Sequence, residues 1–134
     1  MGTHLLAYAT TAAVFLAIDY VWLAHLARGF YADRLGHLLL ERPNVGAAVT
    51  FYAIYVAGIV FFATLPALKS GSASSALVLG ALFGFFAYAT YDMTNYATLK
   101  GWPLAVVMVD VAWGTVLSGL AALAGFHATR LLLA

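Results

Sequence analysis

Apolar residues fall into four long stretches, separated by short clusters of polar residues. The stretches run from about Leu5 to His25, Val45 to Leu65, Ala76 to Ala97 and Pro103 to Phe126. Each supplies the roughly 20 mostly apolar residues that a helix needs to cross a bilayer. The pattern predicts an all-α protein: an integral membrane four-transmembrane-helix bundle, one domain over residues 1–134. Pro66 is expected to stop the second helix, and Pro103 to open the fourth as a first-turn residue.

The connections differ in character. Lys69 to Ser75 is rich in Ser and Gly and reads as a flexible polar loop. Thr98 to Pro103 reads as a tight turn carrying an interfacial tryptophan, Trp102. Leu26 to Asn44 is longer and helical in period. Tyr31, Leu35, Leu38 and Leu39 make one apolar face, and Arg34, His37 and Glu41 the opposite one. That predicts a short helix lying in the interface between helices one and two, ending before Pro43.

Composition moves the same way. Of the 134 residues 65% are hydrophobic and 8% charged, against about 25% charged in an ordinary soluble domain. One small core could not hide that much apolar surface, so the bilayer is the solvent. A net charge of +1 gives no electrostatic footprint for nucleic acid. The absence of cysteine excludes disulfides, thiolate metal sites and a cysteine nucleophile. Met1-Gly2-Thr3-His4 lacks a basic n-region, so the first stretch reads as a retained helix. Leu6 breaks a myristoylation motif. Arg28, Arg34, Arg42 and Lys100 lie on one side, Lys69 and Arg130 on the other. The positive-inside rule then places the first and third connections in the cytoplasm of a multi-pass inner (plasma) membrane protein.

Small residues recur at close-packing spacing: Gly80 and Gly84 form a GxxxG extended back by Ala76, with Gly114, Ser118, Ala122 and Gly125 in the fourth stretch. Such faces let helices approach closely, within the bundle or in a homo-oligomer.

Three aspartates interrupt the apolar segments: Asp19, Asp92 and Asp110. A carboxylate near mid-bilayer costs roughly 2.5–3.5 kcal/mol on insertion scales, so each calls for a partner. Asp19 and Asp92 precede the ends of helices one and three, while Asp110 follows the start of helix four. In a four-span topology all three therefore lie in the same half of the membrane, roughly 8–10 Å below one interface. They are expected to face one another, water or a cation rather than lipid. Trp22 is three residues from Asp19 and Trp113 three from Asp110, so each pair shares a helix face. Tyr88, Asn95 and Tyr96 share the face of Asp92. These side chains offer donors to a carboxylate or its acid. The expected binding or proton/cation site is Asp19, Asp92, Asp110, Trp22, Asn95, Tyr96 and Trp113, between helices one, three and four, with helix two as a structural wall. Arg28 and Lys100 are candidate counter-ions.

Other chemistry is thinner. His4 and His127 fall on one membrane side, as a bis-histidine haem would need, but solvated interfacial histidines explain them better. His25 and His37 lie at the aspartate side, where proton shuttling is conceivable. No nucleophile elbow, phosphate loop, dinucleotide glycine pattern or zinc-binding helix motif is present. No cofactor and no resident metal are expected.

The stretches Ala17-Ile18-Asp19-Tyr20-Val21-Trp22-Leu23, Tyr91-Asp92-Met93-Thr94-Asn95-Tyr96-Ala97-Thr98-Leu99-Lys100 and Val109-Asp110-Val111-Ala112-Trp113-Gly114 resemble a family of small bacterial predicted membrane proteins catalogued as a domain of unknown function. The resemblance implies a four-span bacterial membrane protein and carries no activity to transfer. Intramembrane carboxylates commonly mark proton relays and ion pathways, which points to a proton- or cation-coupled transporter subunit needing a second copy or a membrane-protein partner. Two other readings compete. One is a membrane enzyme on a lipid or prenyl substrate, with carboxylates dividing acid and base work or holding Mg²⁺. The other is a non-catalytic accessory subunit of a larger membrane complex.

Overall fold

Residues 2–134 are described by the computed structural model. The chain is all helix: α1 (Gly2–Val21), α2 (Arg28–Leu35), α3 (Val45–Ile59), α4 (Leu65–Ser70), α5 (Ala73–Thr98) and α6 (Leu104–Leu133). A widened π turn, Trp22–Leu26, extends α1, and another, Val60–Thr64, joins α3 to α4. Four helices are long and apolar enough to cross a membrane: Gly2–Leu26, Val45–Ser70, Ala73–Thr98 and Leu104–Leu133. They are called spans one to four below. The fold is a four-span bundle with a short helix between the first two.

Local chemistry sets the ends. Asn44 caps α3 by accepting from the Ala47 N–H at 3.0 Å, and Ser72 caps α5 by accepting from Ser75 at 3.2 Å. Such caps satisfy backbone donors that a helix start leaves free. Gly71 adopts the left-handed conformation (φ 69°) that closes α4. The polar stretch expected to be a flexible loop is therefore a two-residue turn, Gly71 and Ser72, with helix on both sides.

Pro66 does not stop span two. Proline lacks an N–H, and its ring crowds the carbonyl four residues back. The helix absorbs it by widening just upstream, where the N–H of Leu65 bonds to the carbonyl of Val60, five residues back. The helix then runs on to Ser70. Span four likewise continues beyond Phe126 to Leu133. In the first connection, α2 ends at Leu35; a single 3₁₀ turn, Gly36–Leu38, follows. The helix is shorter than its periodicity suggested, and Leu38 and Leu39 are exposed.

Span four is the axis. It packs along spans one and three, while the lower half of span two, from the Val60–Thr64 turn onward, sits against the other three. The upper half of span two, α3, approaches α1 and meets α5 through its aromatic side chains, Tyr55 against Phe83 and Tyr88. Small residues make the central contact possible. A Cβ on Gly80 would lie 2.7 Å from both the Ala122 Cβ and the Ser118 carbonyl oxygen. One on Gly84 would strike the Gly114 carbonyl and come within 2.6 Å of the Ser118 hydroxyl. The GxxxG face is thus consumed inside the bundle, where its close approach gains dispersion contacts that lipid alone cannot supply. Phe15, Ile59, Leu117 and Phe126 fill the centre without exposed surface. Leu5, Phe61, Phe86 and Met108 point outward, as an outer surface dissolved in lipid requires.

Hydroxyls stitch the spans together. Tyr55 and Ser118 are 2.7 Å apart, Thr10 and Thr129 3.2 Å, and Tyr8 donates to the Ala53 carbonyl at 3.0 Å.

Candidate functional site

Asp19 sits near the end of α1, 6% exposed. Its Oδ2 accepts from the Tyr52 hydroxyl at 2.7 Å, and its Oδ1 from the Trp113 indole N–H at 3.2 Å. Both donors come from other helices, one from span two and one from span four. Asp19 therefore ties three spans together, and span two is more than a wall.

Asp110, half-buried near the start of α6, accepts from the Tyr31 hydroxyl at 2.7 Å. The same hydroxyl accepts from the Trp22 indole N–H at 3.3 Å. Burial, and then the bond to Asp110, push the Tyr31 hydroxyl above the usual phenol range. The phenol thus stays neutral and remains a donor. Tyr31 lies on α2, outside the spans. The periodicity had assigned it to the apolar face of an interfacial helix, yet it reaches into the bundle and closes the site from above.

The tryptophans exchange partners relative to expectation. Trp22 and Asp19 are three residues apart on one helix, as are Trp113 and Asp110. In the folded chain the indole of span four serves the carboxylate of span one. The indole of span one, through Tyr31, serves the carboxylate of span four. The two indoles stack face to face, with centroids 4.2 Å apart and planes 9° from parallel. That stack stands between the surroundings of Asp19 and those of Asp110.

Asp92 differs from both. It is fully buried in α5, and neither of its oxygens has a hydrogen-bond partner. The groups facing it are the Asp110 carboxyl and the Trp102 indole. The indole N–H of Trp102 is itself buried and unpartnered. Trp102 is held between Leu35 of α2 and Val106 and Val107 of α6, and edge-on to Tyr91 at 5.8 Å between centroids. A buried polar atom left without a partner costs about 1–3 kcal/mol, so three of them, on two side chains, mark this spot as unlike the rest of the fold.

Asn95 is half-buried, and Tyr96 is 45% exposed. Neither donates to a carboxylate among the described residues; the donors found are Tyr52 and Trp113 at Asp19 and Tyr31 at Asp110. Arg28 and Lys100 are exposed, and the donors found at the carboxylates are aromatic. Tyr31 had a readable signal, since a phenol on the apolar face of an amphipathic helix must find a partner when buried. Nothing in the sequence singled out Tyr52 from Thr50 and Tyr55. Among the described residues, no group of three or more His, Asp or Glu side chains is arranged to hold a metal ion.

One consequence is directly measurable. Tyr31→Phe removes the donor to Asp110 and the acceptor of Trp22 together. Thermal unfolding in mild detergent should show a loss of about 1–3 kcal/mol, in the range for hydrogen bonds to charged groups. Unchanged stability would mean that α2 does not close the site in solution.

Fold and site define a multi-pass membrane protein in which a buried aspartate, Asp19, is bonded by aromatic donors from two other helices. The chain belongs to the family described as Predicted membrane protein (DUF2177), whose model matches residues 4–127. No curated protein and no solved structure matches it.

Proposed function

We propose that the protein exchanges protons at Asp92 and Asp110, as a subunit of a proton-coupled transporter in a bacterial inner membrane. The observation that carries this reading is the state of Asp92: fully buried, with no donor on either oxygen, and facing another carboxyl. Two carboxylates at close quarters in a low dielectric cannot both ionise cheaply. A single proton shared between them gives Asp92 its own O–H donor and removes one buried charge. Asp110 is half-exposed and forms the outward member, with Tyr31 over it. Asp19 already has two donors and fixes the geometry. It is no part of the exchanging pair. The full set proposed at the beginning (Asp19, Asp92, Asp110, Trp22, Asn95, Tyr96 and Trp113) thereby narrows to Asp92 and Asp110, positioned by Tyr31, Trp22 and Trp113.

Proton reading is favoured over cation reading by ligand count. Two facing carboxyls and neutral aromatics fall short of the six or more oxygens that calcium takes, whereas a proton needs only two. A single four-span chain is small for enclosing a path across the membrane, so a second copy or another membrane protein is proposed to complete it. Since the GxxxG face is used within the bundle, that contact would have to lie elsewhere.

Infrared difference spectroscopy tests the core of the proposal. At neutral pH, lipid-reconstituted protein should show the C=O stretch of a buried carboxylic acid, bleaching as the pH is raised. In Asp92→Asn that band should be missing. A band of equal intensity in Asp92→Asn would sink the assignment.

A further inference from the structure

The unpartnered indole N–H of Trp102 lies beside the one carboxyl that has no donor. Both are buried, and each lacks what the other offers. Asp110 already has its own aromatic donor, Tyr31. The two carboxyls of the pair thus each face one aromatic hydrogen-bond donor at the same membrane surface, and only one of the two bonds is made.

Where those donors come from matters. Tyr31 is on α2, and Trp102 is on the five-residue connection between α5 and α6, which turns at Gly101 with φ 73°. Neither donor belongs to a membrane-spanning helix. The two elements are packed together: Leu35 of α2, Trp102, Val106 and Val107 form one small apolar cluster, flanked by Phe30, Tyr31 and Val111. This cluster is separate from the main core of the bundle. It covers the carboxyl pair, anchored to span four through Val106 and Val107 and to span three through the edge-on contact of Trp102 with Tyr91. Trp102 and α2 are its parts outside the spans, where local shifts cost least.

Resting on the proton-site reading above, we infer that Trp102 is the alternative partner of Asp92, engaged when Asp92 has released its proton. With the proton in place, Asp92 donates its O–H to an Asp110 oxygen and the indole N–H stays free. When the proton leaves for water past Asp110, that O–H···O bond is broken and two negative charges face each other. Tyr31 continues to donate to Asp110, and Trp102 moves to donate to Asp92. Each carboxylate then holds one charge-assisted bond, which is stronger than a neutral one. Leu35 of α2 packs in the same cluster as Trp102, so the state of the buried pair is transmitted to α2 at the membrane surface. Besides Asp110 from α6, the titratable groups facing Asp92 are Tyr31 from α2 and Tyr91 from its own helix. Lys100, in the same connection as Trp102, is exposed. Arg28, at the start of α2, is exposed as well.

The chain holds three tryptophans, so their indole N–H groups can be followed one by one. Full-length protein labelled with ¹⁵N-tryptophan in lipid nanodiscs is titrated by NMR, and the same preparation is titrated by infrared spectroscopy. The Trp102 resonance is identified by its loss in Trp102→Phe or, should that variant not fold, by elimination with Trp22→Phe and Trp113→Phe. Expected is a downfield movement of the Trp102 indole proton over the same pH range in which the Asp92 acid band bleaches. That movement should be lost in Asp92→Asn. A stationary Trp102 resonance while the Asp92 band titrates refutes the inference and leaves the proton site standing. So does a Trp102 movement that persists in Asp92→Asn. If no Asp92 band titrates at all, the proton-site reading fails and this inference with it.

Discussion

Replacing Gly84 with leucine is expected to prevent span three from seating on span four. Even a single added Cβ would strike the Gly114 carbonyl and crowd Ser118 at 2.6 Å. The obstruction is partly backbone, which cannot rotate aside. Ser118 is also the hydrogen-bond partner of Tyr55, so displacing it loosens span two as well. Overpacking by one methyl group costs about 1–3 kcal/mol, so Gly84→Ala should fold with a clearly lowered unfolding midpoint. Leucine adds three more carbons at the same point and should exceed what a bundle of this size tolerates, given total stabilities of about 5–15 kcal/mol. Unfolding in mixed detergent and denaturant micelles, or size-exclusion profiles of the purified variants, would decide it. Gly29→Leu serves as the control, because nothing lies near a Cβ at that position. Equal stability of the Gly84 and Gly29 variants would mean that the two spans are not apposed as described.

The second large effect is expected at Asp19. Its two oxygens accept inside the bundle from two donors, Tyr52 and Trp113. Tyr52→Phe removes one donor and leaves the other, with a loss of roughly 1–3 kcal/mol. Removing both, in Tyr52→Phe with Trp113→Phe, leaves a buried carboxylate with no donor. Leaving a buried polar group unsatisfied costs about 1–3 kcal/mol, more for a charged one, so the double variant should lose more than either single one. The two substitutions share one partner, so their effects should not add. Adding Asp19→Asn to the double variant removes the charge and should recover part of the loss. If that rescue is absent, Asp19 is not the charged centre of this contact, and the loss in the double variant comes from packing of the rings alone.

Both predictions rest on features of unequal visibility in the sequence. The glycines of span three were legible as a close-packing face from their spacing alone. Which surface they met was not: the same spacing serves a homodimer or the fourth span equally well. The aspartates were legible as anomalies, and their common half of the membrane followed from counting spans. Their partners were misread, because i,i+3 spacing only says that two side chains leave a helix on the same face. It does not say which of them reaches across to a neighbour. Trp113 bonds to Asp19 and Trp22 reaches toward Asp110, through Tyr31, because spans one and four lie side by side with their indoles stacked.

The sequence by itself determined the solvent, the number of spans, their helical character and the existence of a short helix before span two. These follow from run lengths and from the cost of leaving backbone groups unpaired in hydrocarbon, and neither depends on how helices pack. Only the tertiary structure decided which aspartates are bonded: Asp19 by two donors, Asp110 by one and Asp92 by none. It also decided that the phenols of Tyr31 and Tyr52 are among those donors. The reason is rotational. Each π turn adds a residue to one turn of helix and re-aims everything beyond it, and the turn at Trp22–Leu26 directs the chain into α2. The rotation of one helix against another is then set by the glycine contacts between spans three and four. A one-dimensional pattern fixes how deep a residue lies, while only packing fixes what it faces.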